Sequence, residues 1–246
     1  MVTEVVKRAA AFVSVCVCTL WLVASRPAGA QRMMHVRLGP SAGRNVSYLG
    51  CGCFWHVQHD VVTRVERAIL GRSDEELTAL TGYAGGTHTS QDGRVCYHSM
   101  TGVSDYGMLG HAEVVSLELP DGAAAQVAAT FFEKTCVKGV RRDVQDRGAE
   151  YRSVVGFPGG IDSHAGKQFS AAAAARGIHV RTGAGNDGDV EGTVWVMDSA
   201  RSPFYQAEVY HQFHADMVEQ YSTAYYALRD ALLGAGRIHR TGCSRD

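Results

Sequence analysis

The sequence lacks a large excess of charge of either sign, since it has 24 lysines and arginines and 25 aspartates and glutamates. Without such an excess, no strong field favours a nucleic acid or an anionic membrane as partner, and the substrate need not be charged. No internal repeat is recognisable either. With 246 residues, of which 46% are hydrophobic, the chain suits one domain with a sizeable core, expected over residues 31–246 with a tail from about residue 234.

The N-terminal segment, residues 1–30, differs from the rest of the chain. Lys7 and Arg8 precede an apolar run over residues 9–25, and small residues end the segment at Ala30. This order is typical of a secretory signal peptide, so we expect the mature protein in the secretory pathway or outside the cell. An uncleaved membrane anchor is one alternative, because the run approaches the roughly 20 residues that span a bilayer. A plastid route that begins with such a signal is another.

Once the signal is removed, the number of cysteines is odd. The chain has seven cysteines, and Cys16 and Cys18 lie within the signal. An odd number in a secreted chain argues against a purely structural disulfide framework and leaves at least one thiol unpaired or redox active. The remaining cysteines are Cys51, Cys53, Cys96, Cys136 and Cys243.

Cys53 falls where a strand is expected to give way to a helix. Residues 46–53 indicate a short strand that runs into a tight, glycine-containing turn, and apolar residues then recur at helical spacing to about Leu70. A cysteine at a helix N-terminus experiences the positive end of the helix dipole, which favours the thiolate and lowers the pKa. The alternative is that Cys53 is a small buried core residue.

Strands and helices interleave along the rest of the chain. This order favours an α/β or α+β fold, built as a two-layer sandwich. We expect strands at 112–119, 151–157, 178–181 and 193–197, helices at 123–134 and 168–176, and a mostly helical segment at 203–233.

Five segments in the chain together resemble the peptide methionine sulfoxide reductases of the A type, in the family's order, over roughly residues 48–229. The resemblance implies a ferredoxin-like α/β plait with a mixed sheet, in a divergent, eukaryotic-type member that acts as a monomer. It also implies thiol-dependent reduction of methionine S-sulfoxide, free or in proteins, without a cofactor, and recycling by a thioredoxin-like dithiol reductant. The segments are Gly52-Cys53-Phe54-Trp55, residues 81–86, residues 110–115, Asp146 through Ser153, and residues 204–212.

Sulfoxide reduction requires an acid, because the sulfoxide oxygen must be protonated as the thiolate attacks. Glu113 matches the family's acid. By alternation it points to one face of a valine-rich strand, where burial would keep its carboxyl protonated. A solvent-exposed strand glutamate is the alternative.

The resemblance also implies the residues that hold the substrate. Phe54 and Trp55 would form an apolar slot for the terminal methyl group, although both could be plain core aromatics. Asp146 and Tyr151 match the polar residues around the sulfoxide oxygen. The substrate site is completed by three further candidates, namely His111, Tyr97 as a second phenol donor, and Tyr106 as its rival, because the segment from Tyr97 to Glu113 is several residues longer than usual.

Recycling requires a second thiol, because the reaction leaves Cys53 as a sulfenic acid that condenses with a nearby thiol. Cys243 lies in a tail flanked by glycine, which we expect to be mobile, and its position resembles that of the family's recycling cysteine. Cys51 is expected to have little room to close so small a ring. Cys96 is a rival, and Cys136 is expected to be packed on a helix.

Two departures from the family pattern are His56-Val57-Gln58 after Cys-Phe-Trp, where Gly-x-Glu is usual, and the lack of a glycine-rich C-terminal recycling motif. They leave open a catalytically impaired binding module. The pair Cys51-x-Cys53 could also suggest a general thiol-disulfide exchanger. A zinc site of Cys51, Cys53, His56 and His59 has poor ligand spacing, and Glu208 with His211 imitates only half of a di-iron site, so we predict no metal.

Overall fold

A computed structural model describes residues 42–43, 46–98, 104–185, 190–215, 219–244 and 246. These residues fall in one compact unit, Arg37–Asp246. The predicted signal, residues 1–30, lies outside them. Among the described residues, no helix has the length and apolar character of a membrane span.

One mixed sheet of eight strands forms the centre of the fold, in the order β1-β8-β3-β4-β2-β5-β7-β6. Neighbouring strands pair antiparallel, except that β7 runs parallel to both β5 and β6. The predicted α/β class with a mixed sheet is confirmed. The strands are β1 (Ala42–Gly43), β2 (Ser47–Gly50), β3 (Thr81–Ala84), β4 (Ala112–Leu117), β5 (Val154–Phe157), β6 (His179–Thr182), β7 (Thr193–Asp198) and β8 (Phe204–Gln206).

The α-helices in the described ranges are α1 (Phe54–Asp60), α2 (Ala124–Thr130), α3 (His164–Ala174) and α4 (Thr223–Gly234). The first two continue directly into π-helical turns, Val61–Arg67 and Phe131–Thr135. The long periodic segment after Cys53 is therefore helical, as predicted.

The larger core lies between these helices and one face of the sheet. Along β4, Val115 and Leu117 point into this core, whereas Val114 belongs to a smaller cluster on the opposite face. Because side chains alternate along a strand, Glu113 shares the helix-facing side with Val115. The acid is thereby directed towards the start of α1.

One prediction of secondary structure was wrong, and one strand was not predicted. Among the described residues of the segment 203–233, which was expected to be mostly helical, the long helix is confined to the end, and the first residues form β8 between β1 and β3. The sequence also gave no sign of β3, whose Gly82 is a poor strand former. A Cβ atom on Gly82 would lie 2.3 Å from the ring of Phe204 in β8, so glycine is required for the two strands to pair this closely.

Candidate active site

Cys53 immediately precedes α1, at the turn that connects it to β2. Gly52 has a φ of 78°, and a Cβ atom there would lie 2.7 Å from Asp146 Oδ2, so this turn requires glycine. The backbone N–H of Cys53 donates to Asp146 Oδ2 at 2.9 Å. The half-buried Cys53 is the one described cysteine outside the disulfides. Its position at a helix start agrees with the position predicted from the sequence.

Glu113 contacts Phe54, the residue that follows the candidate nucleophile Cys53. The backbone N–H of Phe54 donates to Glu113 Oε2 at 2.8 Å, and the hydroxyl of Tyr106 donates to Oε1 at 3.3 Å. The Glu113 side chain is 1% exposed. Burial raises the pKa of Glu113 from 4.5 to about 8, and the negative charge of Asp146 adds to the shift, whereas the Phe54 N–H opposes it. The carboxyl therefore keeps its proton at neutral pH.

Asp146 and Tyr151 also lie near Cys53. The carboxylate of Asp146 accepts the Cys53 N–H and lies 3.9 Å from His56 Nε2. Burial raises the pKa of Asp146. Burial, followed by the negative charge of Glu113, raises the pKa of the Tyr151 phenol, so this hydroxyl keeps its proton and can donate to a ligand oxygen.

Aromatic rings surround the start of α1. The buried ring of Phe54 lies 6.0 Å from that of Tyr83 and 5.9 Å from that of Trp55, which is half-buried. His211 stacks on Trp55, with ring centroids 5.7 Å apart. Phe54 is thus part of the core, whereas Trp55 is open enough to contact a ligand methyl group.

Of the two rival tyrosines, Tyr106 is the one whose hydroxyl contacts Glu113. Tyr97 stacks on Tyr106 with centroids 5.6 Å apart, and its backbone N–H donates to Glu208 Oε1 at 2.8 Å. The structure therefore brings both rings to the site, and the Tyr106 hydroxyl donates a hydrogen bond to the acid.

His111 contacts other residues than those around Cys53. Its Nδ1 accepts the N–H of Gly86 at 3.1 Å, and its Nε2 lies 2.8 Å from the carbonyl oxygen of His88. Burial lowers the pKa of His111 to about 4, so the ring is neutral and its Nε2 donates to that carbonyl. These bonds hold the loop after β3, and substrate binding by His111 remains a prediction.

The other described cysteines form two disulfides, Cys51–Cys136 and Cys96–Cys243. Cys243, predicted to reach Cys53, is not brought to it, because its Sγ atom is bonded to that of Cys96. Cys136 is buried, as expected, but it is bonded to Cys51. That bond removes Cys51 from the alternative zinc site and from the suggested Cys51-x-Cys53 exchange pair.

The sequence singled out Glu208 and His211 only as half of a metal site, and packing or hydrogen bonding was the better interpretation. The structure agrees with that interpretation. Glu208 Oε2 accepts the Tyr83 hydroxyl at 2.8 Å, while Oε1 accepts the Tyr97 N–H. Glu208 thereby supports two of the rings around the acid. The signal for this role was the matching segment 204–212, but its bonding partners could not be read from the sequence.

A half-buried thiol beside a protonated carboxyl suits thiol-based redox chemistry. The family model for peptide methionine sulfoxide reductase matches residues 45–233 of the 246-residue chain. The chain belongs to this family, and the resemblance found in the sequence is confirmed. No curated protein matches the chain.

Solved structures with similarity to this chain include Mxr1 from Saccharomyces cerevisiae in reduced form, with 19% identity and a TM-score of 0.45 over 75% of this chain and 91% of that one. Methionine sulfoxide reductase A of Corynebacterium diphtheriae has 17% identity and a TM-score of 0.40, over 75% of this chain and 82% of that one. Both scores are low, and the family assignment rests on the family model.

Proposed function

We propose that this protein reduces methionine S-sulfoxide, free or peptide-bound, with Cys53 as nucleophile and Glu113 as acid. The observation that carries the proposal is the hydrogen bond from the Phe54 N–H to Glu113 Oε2. It fixes a carboxyl with a pKa of about 8 beside the residue that follows the thiol. An acid with that pKa is suited to donate a proton near neutral pH.

In the proposed reaction, the Cys53 thiolate attacks the sulfoxide sulfur while Glu113 protonates the sulfoxide oxygen. The attack forms a bond between the Cys53 sulfur and the substrate sulfur. This bond and the S–O bond of the substrate then break as the protonated oxygen passes to the Cys53 sulfur and methionine leaves. The products are methionine and the sulfenic acid of Cys53. The proton that the thiol gave up restores Glu113. The Cys53 sulfur is oxidised by two electrons, and the substrate sulfur is reduced by two.

Substrate binding follows from the groups around the thiol. Trp55, with Phe54 behind it, offers an apolar surface for the terminal methyl group. Asp146, Tyr151 and Tyr106 supply polar groups for the sulfoxide oxygen, and the raised phenol pKa of Tyr151 keeps a donor available for it.

We also propose that the fold is a ferredoxin-like plait in two layers. The packing of α1, α2 and α3 against one face of the sheet supports this assignment.

The proposal extends to the compartment. The two disulfides, Cys51–Cys136 and Cys96–Cys243, support a secretory route, because cytosolic proteins seldom keep structural disulfides. N-terminal sequencing of the mature protein tests this part: a start near Gln31 is expected, and a mature chain that begins at Met1 would contradict signal cleavage.

The activity is tested with free methionine S-sulfoxide and dithiothreitol, by measuring methionine. We expect turnover by the wild type, no turnover by Cys53→Ser, and turnover by the matched control Cys96→Ser/Cys243→Ser, which removes the Cys96–Cys243 disulfide. The R epimer should be a poor substrate. Binding of the sulfoxide without formation of methionine would instead identify a binding module. Retention of more than about a tenth of the activity by Cys53→Ser would mean that another thiol attacks, since serine is a far weaker nucleophile.

A further inference from the structure

The proposed reaction leaves a sulfenic acid that must be reduced before the next turnover. A sulfenic acid is an electrophile at sulfur, and a thiol must attack it to form a disulfide and release water. A disulfide cannot do this, because it has no thiol to give. The source of the thiol therefore depends on which cysteines of the chain are already bonded.

Cys51 is the closest cysteine in sequence, and it is committed to Cys136. Both residues are at most 1% exposed, and Ser153 Oγ lies 3.3 Å from Cys51 Sγ. A disulfide this deeply buried is poorly accessible to a reductant in solution. Cys51 and Cys136 therefore offer no thiol to Cys53.

Cys243 was expected to approach Cys53 on a mobile tail, but the described tail is anchored. Its Sγ atom is bonded to Cys96, and Arg94 donates to the carbonyl oxygen of Gly242. Further back, Gln206 Nε2 donates to the carbonyl oxygen of His239 at 2.6 Å. These contacts attach the tail to β8 and to the loop before Tyr97, and they remove the mobility on which the resolving role depended.

From these pairings we propose, on the basis of the proposed function, that the Cys53 sulfenic acid is reduced by a thiol from outside the chain. The half-buried Cys53 is open to solvent on one side, as such an attack requires. The external thiol and the sulfenic acid form a mixed disulfide and water. A second external thiol then attacks the mixed disulfide, which releases the Cys53 thiol and leaves the reductant as a disulfide. Both disulfides of the protein stay intact through the cycle.

A single-turnover experiment tests this inference. The full protein, isolated with its disulfides, is mixed with an equal amount of methionine S-sulfoxide without reductant and then treated with dimedone, which traps sulfenic acids. Released methionine is measured, and every cysteine that the mature protein retains is mapped by mass spectrometry without reduction. We expect one methionine per protein, a dimedone adduct at Cys53, and unchanged Cys51–Cys136 and Cys96–Cys243 bonds.

Two arms then distinguish the source of the thiol. Before dimedone is added, one sample receives glutathione and another receives reduced thioredoxin. One equivalent of glutathione should leave Cys53 joined to one glutathione, because no second thiol is present to attack the mixed disulfide, whereas a dithiol protein should return Cys53 to the thiol and become oxidised itself. Either result supports an external thiol. A sulfenic acid that neither thiol removes would overturn the inference.

Cys243→Ser supplies the matched comparison. If Cys243 resolves the sulfenic acid, the dimedone adduct should form in the variant and not in the wild type. We expect equal adduct yields in both. A disulfide from Cys53 to any cysteine of the wild-type chain would overturn the inference while leaving the proposed function intact. A failure to release methionine would instead count against the proposed function.

Discussion

The carboxyl of Glu113 accepts a hydrogen bond from the backbone N–H of Phe54, the residue that follows the nucleophile candidate Cys53. Acid and thiol are thereby positioned by adjacent peptide units at the start of α1, while the carboxyl itself is carried by the central strand β4. This hydrogen bond holds the carboxyl beside the residue that follows the thiol, as a reaction between the two groups requires. The predictions below follow from this arrangement.

Glu113→Gln should slow the first turnover by about 10² to 10⁴, because the amide keeps an oxygen for the Phe54 N–H but cannot transfer a proton. The measurement is the rate of methionine formation in a single turnover at saturating methionine S-sulfoxide. Glu118→Gln is the control, since Glu118 is an exposed residue directly after the end of β4, and it should leave the rate unchanged. A loss below about fivefold in Glu113→Gln would show that Glu113 has a structural role only.

The same substitution should change how stability depends on pH. In the unfolded chain Glu113 ionises above about 4.5, whereas in the folded chain its pKa is about 8. Between these values the folded state holds one proton more than the unfolded state, so the free energy of unfolding falls as pH rises, by about 1.4 kcal/mol per pH unit from this residue. Above about pH 8 both states are ionised and the slope ends.

Glutamine at position 113 does not ionise, so Glu113→Gln should lack this slope. Urea unfolding at about pH 5.5 and about pH 7.5 should show the difference in unfolding free energy between variant and wild type growing by about 3 kcal/mol in favour of the variant. Glu118→Gln should show no such growth. A difference that stays constant with pH would mean that the carboxyl of Glu113 is ionised in the folded protein.

Tyr106→Phe should reduce the single-turnover rate by roughly fivefold, the equivalent of one hydrogen bond of about 1 kcal/mol to the acid. It should also raise the pKa of Glu113 further, because the Tyr106 hydroxyl favours the ionised form. Tyr48→Phe is the matched control. Tyr48 belongs to the smaller core cluster on the opposite face of the sheet, and its hydroxyl donates to the carbonyl oxygen of Ser202. If Tyr97→Phe slows the reaction more than Tyr106→Phe, the contact with Glu113 is not the important one.

The features that were predicted correctly from the sequence depend on residues that are close together along the chain. The helix after Cys53 follows from a period of 3.6, and the direction of Glu113 follows from alternation along one strand. The pairing of Cys51 with Cys136 and of Cys96 with Cys243 joins residues 85 and 147 positions apart. Such pairs depend on how β2, the helices and the tail come together, and connectivity cannot be deduced from a single sequence.

The role of Gln58, which departs from the family pattern, likewise depends on residues that are distant in the sequence. In the sequence it appeared only as a change in the first turn of the helix. In the structure Gln58 is fully buried, its Nε2 donates to the carbonyl oxygen of Ala79 at 2.9 Å, and its Oε1 accepts the N–H of Phe213 at 2.7 Å. An amide satisfies both partners at once, since it carries a donor and an acceptor.

Gln58→Glu, which restores the residue usual in the family, should therefore destabilise this protein. A carboxylate still accepts the Phe213 N–H, but it faces the carbonyl oxygen of Ala79 without a donor, and a buried group left unsatisfied costs about 1 to 3 kcal/mol, more when it is charged. Urea unfolding near neutral pH should show a loss of at least about 2 kcal/mol. Gln145→Glu is the matched control at an exposed position and should change stability little. Because protonation would restore a donor on the carboxyl, the loss in Gln58→Glu should shrink as pH falls below the pKa of the buried acid. A loss that is equal at all pH values would show that packing, and not the hydrogen bond to Ala79, is the reason for glutamine at position 58.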